Sequence, residues 1–222
     1  MTVKTLIVPI GILLFLASGA SECAMPKQVE EKTPQQVHEF FRAQHRKVVS
    51  FFGYSGAEYE DHAGMLAQAR QALSHFDPHK TIVNVGATGV GIGAVYELAK
   101  EKGFTTTGIV SSQAREQDVP LSPSVDYVFY VQDSTWGGYL PGTAKLSPTS
   151  EAMVNSSDVL IAIGGGDVAR DELLEARRRK KDVKFFPADM SHRLARDAAA
   201  SKNKPEPTDF RGAVHMALSA VD

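Results

Sequence analysis

The sequence predicts one doubly wound, mostly parallel α/β sheet flanked by helices. Three observations support this: short apolar runs alternate with longer amphipathic ones, two of the apolar runs end in glycine clusters that open helices, and the runs are apolar throughout rather than alternating. The third matters because a strand such as Val159-Leu160-Ile161-Ala162-Ile163 is apolar at every position only when helices cover both sheet faces.

Taken in order, the first twenty-odd residues resemble an export signal. Lys4 is followed by an apolar run to Ala17, and Ser18-Gly19-Ala20 offers small residues for cleavage after Ala20. Residues 1–24 are therefore expected to be a signal peptide or leader, and the protein to be exported, periplasmic or secreted. Lipid anchoring at Cys23, the single cysteine, is disfavoured because Glu22 sits where a small residue is needed. Translation from Met25 would instead leave the protein in the cytoplasm. Broken by Pro9 and Gly11, the apolar run predicts no stable membrane span.

Residues 25–46 read as a charged, proline-bounded linker to Thr33, then an amphipathic helix from Pro34 to His45 with Val37, Phe40 and Phe41 on one face. The rest, 47–222, reads as the α/β domain. Strands are expected at Val48–Phe52, Thr81–Val85, Thr105–Val110, Tyr127–Val131, Val159–Ile163 and Val183–Phe186. Helices are expected at Glu58–Phe76, Ile92–Lys102, Thr149–Ser156, Val168–Lys180, Ser191–Ala200 and Asp209–Ala220.

Composition excludes several classes. A net charge of −2 gives no basic field for nucleic acid, and the run Arg177 to Lys181 closes a helix, where cations suit the dipole and solvent. One cysteine and seven scattered histidines without an HExxH pattern predict no metal, and no cofactor is expected. The expected partner is a small nucleotide or another phosphorylated ligand.

In such a sheet, ligands bind at the carboxyl ends of the strands. Three of those ends are stripped of side chains: Gly53, Tyr54 and Ser55 after the first strand, Gly86 to Gly93 after the second, and Gly164, Gly165, Gly166 and Asp167 after the fifth. Within the second loop, Gly86, Ala87, Thr88, Gly89 and Gly91 are the expected ligand contacts. Glycines let the backbone approach an oxygen, and free N–H groups at a helix start attract an anion. Asp167 also reads as a helix cap. Trp136 and Tyr139, on the loop after the fourth strand, are candidates to cover a base.

From Val48 to Phe186 these residues resemble the lonely-guy, or lysine decarboxylase-like, family within the nucleotide-binding superfamily that includes DNA-processing protein A. The likeness rests on Val49 to Gly56, on Gly86 to Gly93 with Thr107-Gly108-Ile109, and on Ser157 to Gly166. It implies a Rossmann-like fold, a homodimer and hydrolysis of the N-glycosidic bond of a nucleoside 5′-monophosphate through a PGGxGTxxE loop and an upstream arginine. Here Ile163 replaces the proline and Asp167-Val168 the Gly-Thr pair, while Asp171 or Glu172 falls at the catalytic carboxylate. Thr149 falls at the arginine, leaving Arg170 or Arg115 as substitute cations.

A carboxylate in the pocket could stabilise a developing oxocarbenium or activate water, which makes Asp171 and Glu172 the catalytic candidates. The competing function is a non-catalytic module that binds or senses a nucleotide or an ADP-ribose-type ligand. An NAD(P)-dependent oxidoreductase is disfavoured, because Val110-Ser111-Ser112-Gln113 supplies no acidic residue for a ribose and a full strand and helix precede the glycine loop.

Overall fold

A computed structural model describes residues 26–219. The expected signal segment, Cys23 and the alternative start at Met25 lie outside the described residues.

Seven strands form one all-parallel sheet: β1 (Gln28–Glu31), β2 (Lys47–Gly53), β3 (Thr81–Val85), β4 (Thr105–Ser111), β5 (Tyr127–Val131), β6 (Val159–Ile163) and β7 (Asp182–Phe186). Their order is β1-β5-β4-β3-β2-β6-β7. The chain winds outward from β2 through β3, β4 and β5, then crosses back to place β6 on the other side of β2. Strand order therefore reverses at β2, with the three glycine-bearing strand ends on neighbouring strands at one edge. The fold is Rossmann-like, as expected.

One strand was not expected. Gln28–Glu31, read as linker, pairs with β5 as the sheet's edge strand. Three of its four residues are exposed, so it lacks the apolar run by which the other strands announce themselves.

The helices are α1 (Pro34–Ala43), α2 (His62–Leu73), α3 (Val95–Glu101), α4 (Gln113–Glu116), α5 (Pro148–Ser156), α6 (Asp167–Arg178), α7 (His192–Ser201) and α8 (Gly212–Leu218). Thr33 and Gln36 form a reciprocal capping box at the start of α1. Three expectations shift. The helix expected from Asp209 begins at Gly212. The helix expected from Glu58 begins only at His62, because Tyr59 turns inward to donate its hydroxyl to the Ile163 carbonyl at 2.7 Å while Asp61 caps the helix through Gly64 N–H at 2.8 Å. The helix expected from Ile92 opens instead with a 3-10 turn, Gly91–Ala94.

Each sheet face has its own core. Val49 and Phe51 of β2 point toward Met65, Leu73 and Tyr96 under α2 and α3. Their neighbours Val48 and Phe52 point the opposite way, toward Phe41, Met153, Leu173 and Val214 under α1, α5, α6 and α8. This two-sided burial is the physical reason the strands carry no polar alternation.

Candidate functional site

At the carboxyl edge of β2, β3 and β4, a cavity of about 290 Å³ opens between the strand ends and helices α5 and α6. Its inner wall is apolar, from residues such as Phe51, Val85, Ile109 and Met153. Val168 and Trp136, 38% and 48% exposed, stand at its mouth. Among the described residues, no Lys, Arg or His lines it.

Of the expected ligand residues, Gly53, Ser55, Gly86, Ala87 and Thr88 line this cavity. Open space surrounds Gly86, so its bare Cα is part of the wall. Ala87 is fully buried with φ of 61°, a left-handed conformation that costs a non-glycine residue about 1–2 kcal/mol. It is held there by its N–H donating to the Tyr96 hydroxyl at 3.0 Å, which donates onward to the Thr107 carbonyl at 2.8 Å.

The others lie elsewhere. Tyr54 points away from the cavity, donating to the Arg211 carbonyl at 2.8 Å. Gly89 and Gly91 do not reach the wall; Gly91 is pressed against the Tyr54 and Ser55 carbonyls. The Gly164–Gly166 run is spent mainly on packing. A side chain on Gly165, at φ 135°, would come within 2.7 Å of Val214, whose N–H donates to the Gly165 carbonyl at 3.1 Å. A side chain on Gly164 would enter the Tyr54 ring. These two glycines thus seat α8 and Tyr54. Asp167 is the first residue of α6 rather than its cap, which is Gly166; its exposed carboxylate pairs with Arg170 at 2.6 Å.

The start of α6 nevertheless matters. Among the described residues, the N–H groups of Gly166, Asp167, Val168 and Ala169 donate to no acceptor, and Val168 and Ala169 form part of the cavity wall. Unpaired amides there, with the positive end of a twelve-residue helix, favour an anion at the mouth.

The two candidate carboxylates separate cleanly. Asp171 is engaged outside the cavity: Arg170 donates to one oxygen at 2.7 and 3.0 Å, and the Tyr139 N–H to the other at 2.9 Å. Glu172 lines the cavity at 6% exposure. Gly138 N–H donates to the Ser150 hydroxyl at 2.7 Å, and that hydroxyl donates to Glu172 Oε1, also at 2.7 Å. Burial pushes the Glu172 carboxyl up to about 8; the Ser150 bond works against the rise and the Asp171 charge adds to it. Burial thus favours the neutral carboxyl over the carboxylate.

Ser150 also ties Glu172 to the loop that carries Trp136. Gly138, at φ 82°, passes so close to Asp171 that any side chain would approach its carboxylate to 2.9 Å. Asp133 anchors the loop's other end, accepting the N–H groups of Thr135 and Thr149 at 2.9 Å each. Burial pushes the Asp133 carboxyl up, yet these donors hold it below the usual range. Tyr139, expected to cover a base, contributes only its backbone here.

Neither substitute cation reaches the cavity. Arg170 is held by Asp167 and Asp171, and Arg115 stacks 4.2 Å from the Tyr130 ring while pairing with Glu31. Thr149, at the position of the family's arginine, is buried in the cavity wall. Sequence reasoning missed the segment Val119 to Leu121, which closes one side of the cavity through a bridge between Leu121 and Thr88. No periodicity could have revealed it. Among the described residues, no group of three or more His, Cys, Asp or Glu could hold a metal, and no helix is long and apolar enough to cross a membrane.

Fold and cavity together define a doubly wound α/β protein with a pocket at the edge where strand order reverses. No protein-family model and no curated protein matches the chain. Among solved structures it is similar to the molybdenum cofactor carrier protein of Chlamydomonas reinhardtii, at 20% identity over 79% of this chain and 95% of that one, with a TM-score of 0.46. It is also similar to the molybdenum cofactor binding protein of the phototrophic bacterium Rippkaea orientalis, at 18% identity over 71% and 85% of the two chains, with a TM-score of 0.48. Likenesses of this size say nothing of what this chain binds.

Proposed function

We propose that this protein binds a mononucleotide-sized ligand, its phosphate held at the pocket mouth by main-chain amides rather than by cations. The observation that carries this reading is the run of N–H groups from Gly166 to Ala169, unpaired among the described residues, beside a mostly apolar cavity. Strained Ala87 in the opposite wall adds support, since backbone strain persists where the surrounding structure enforces a particular loop shape. At about 290 Å³ the cavity is at the small end of ligand sites, enough for one base and sugar. Calorimetric titration with AMP tests it: AMP binds saturably. Failure of AMP to bind at millimolar concentration refutes it.

Hydrolysis of the N-glycosidic bond, the activity implied by the lonely-guy resemblance, is favoured by one observation. Glu172 faces the cavity with a pKa near working pH, which suits a general acid that protonates a departing base. Among the described residues no second carboxylate lines the cavity to activate water, which favours binding without turnover. Release of adenine from AMP, lost in Glu172→Gln, would reverse that order. Export by the 1–24 leader and homodimer formation belong to the same proposal. They are tested by N-terminal sequencing of the mature protein and by sedimentation.

A further inference from the structure

We infer that the pocket takes its ligand ring end first: an uncharged heteroaromatic ring bearing a hydrogen-bond acceptor enters against Glu172, leaving the phosphate at the rim. The inference rests on the nucleotide reading and adds the ligand's orientation and the chemistry of its buried end.

The argument begins with what the inner wall can solvate. An anion placed among Phe51, Val85, Ile109 and Met153 would meet no cation, since among the described residues no Lys, Arg or His lines the cavity. The unpaired amides that suit a phosphate belong to the first turn of α6, where Val168 is 38% exposed. Glu172 lies one turn further along the same helix and is 6% exposed. The anion site is therefore outermost and the carboxyl is inside.

Glu172 then sets what the inner end must offer. The Ser150 hydroxyl accepts from the Gly138 N–H and donates to Oε1. Among the described residues Oε2 has no hydrogen-bond partner, yet its residue is part of the cavity wall. Oε2 is not sealed inside the protein, and in the cavity wall it is open to a ligand group. Of the charged groups nearby, Asp171 on the same helix opposes ionisation, and the Arg170 charge is committed to Asp167 and Asp171. On the facing loop and α5, Asp133 is turned to the Thr135 and Thr149 amides and Glu151 is paired with Arg179. Among the described residues no cation in the cavity wall favours a carboxylate, so the neutral carboxyl offers a donor through Oε2, the oxygen Ser150 leaves free. A ring nitrogen or ring carbonyl accepts from it; a carboxylate or phosphate would bring an unbalanced charge.

Three probes separate the ends of the ligand: AMP, adenosine and ribose 5-phosphate, titrated into the full chain by calorimetry. Adenosine has no group that titrates between about pH 6.5 and pH 9.5, so any change in its affinity reports the protein. The expected result is that adenosine binds measurably and ribose 5-phosphate far more weakly. Adenosine affinity falls roughly 10- to 30-fold from about pH 6.5 to about pH 9.5 in the wild type. In Glu172→Gln, whose amide still donates, binding persists and the profile is flat. Ribose 5-phosphate binding as tightly as AMP, or adenosine affinity that is flat with pH in the wild type, overturns the orientation and leaves nucleotide binding standing. Absence of binding by all three overturns both.

Discussion

Replacing Glu172 with Gln keeps the side chain's shape and an acceptor for the Ser150 hydroxyl, and removes only its ability to ionise. In the unfolded chain the carboxyl titrates near its ordinary 4.5, and in the folded protein near 8. Between those values the native state holds a proton that the unfolded state has released, so this group's stabilising contribution is complete below about pH 4.5 and is lost as pH rises through about 8. The full swing is about 5 kcal/mol, an upper bound because water entering the cavity eases the ionised form. Glutamine has no such dependence. Urea unfolding of both proteins at about pH 5, 6.5 and 8 should therefore show the variant gaining on the wild type by roughly 2–3.5 kcal/mol across the range. A difference constant to within about 0.5 kcal/mol would show that Glu172 is not buried as described, and the donor role assigned to it would fall as well.

Three further outcomes follow from the geometry. Asp171→Asn removes the charge that adds to the rise at Glu172, so the pH at which wild-type stability drops moves lower in the same unfolding series. Gly165→Ala puts a Cβ within 2.7 Å of Val214 at φ 135° and should cost about 1–3 kcal/mol in urea unfolding, whereas an unchanged midpoint would contradict the docking of α8 on this loop. Asp126 is buried, which raises its carboxyl, but Lys100 at 2.8 Å, the Thr106 N–H and Lys27 outweigh that and hold it at about 2. Its stabilisation is present above 3.8 and lost as pH falls toward about 2, so circular dichroism should show Asp126→Asn to be less stable at neutral pH and less sensitive to acid below about pH 4.

The fold was legible because burial on both faces leaves a signature that needs no partner to read. Strands β2 to β7 lie where their apolar runs predict, whereas β1 was hidden because an edge strand with Gln28, Glu30 and Glu31 pays no burial and shows no pattern. The candidate site was legible only in part. Glycine clusters mark places where backbone comes close to something, and sequence does not say to what: Gly86 faces open cavity, whereas Gly164 and Gly165 face Tyr54 and Val214, from distant parts of the chain. Adjacent acids pose the same problem. Asp171 and Glu172 point to different sides of α6, and only the positions of Arg170, Tyr139 and Ser150 decide which one meets the cavity.

Trp136 is the chain's single tryptophan and stands at the cavity mouth, so its fluorescence reports occupancy without a label. Gly86→Leu fills the cavity from a position with open space ahead of it and no left-handed backbone, so the variant should fold while leaving no room for a ring. Titration with AMP should change wild-type fluorescence saturably and leave Gly86→Leu unaffected. An unresponsive wild type, or an equal response from the variant, would contradict the binding of a nucleotide in this pocket.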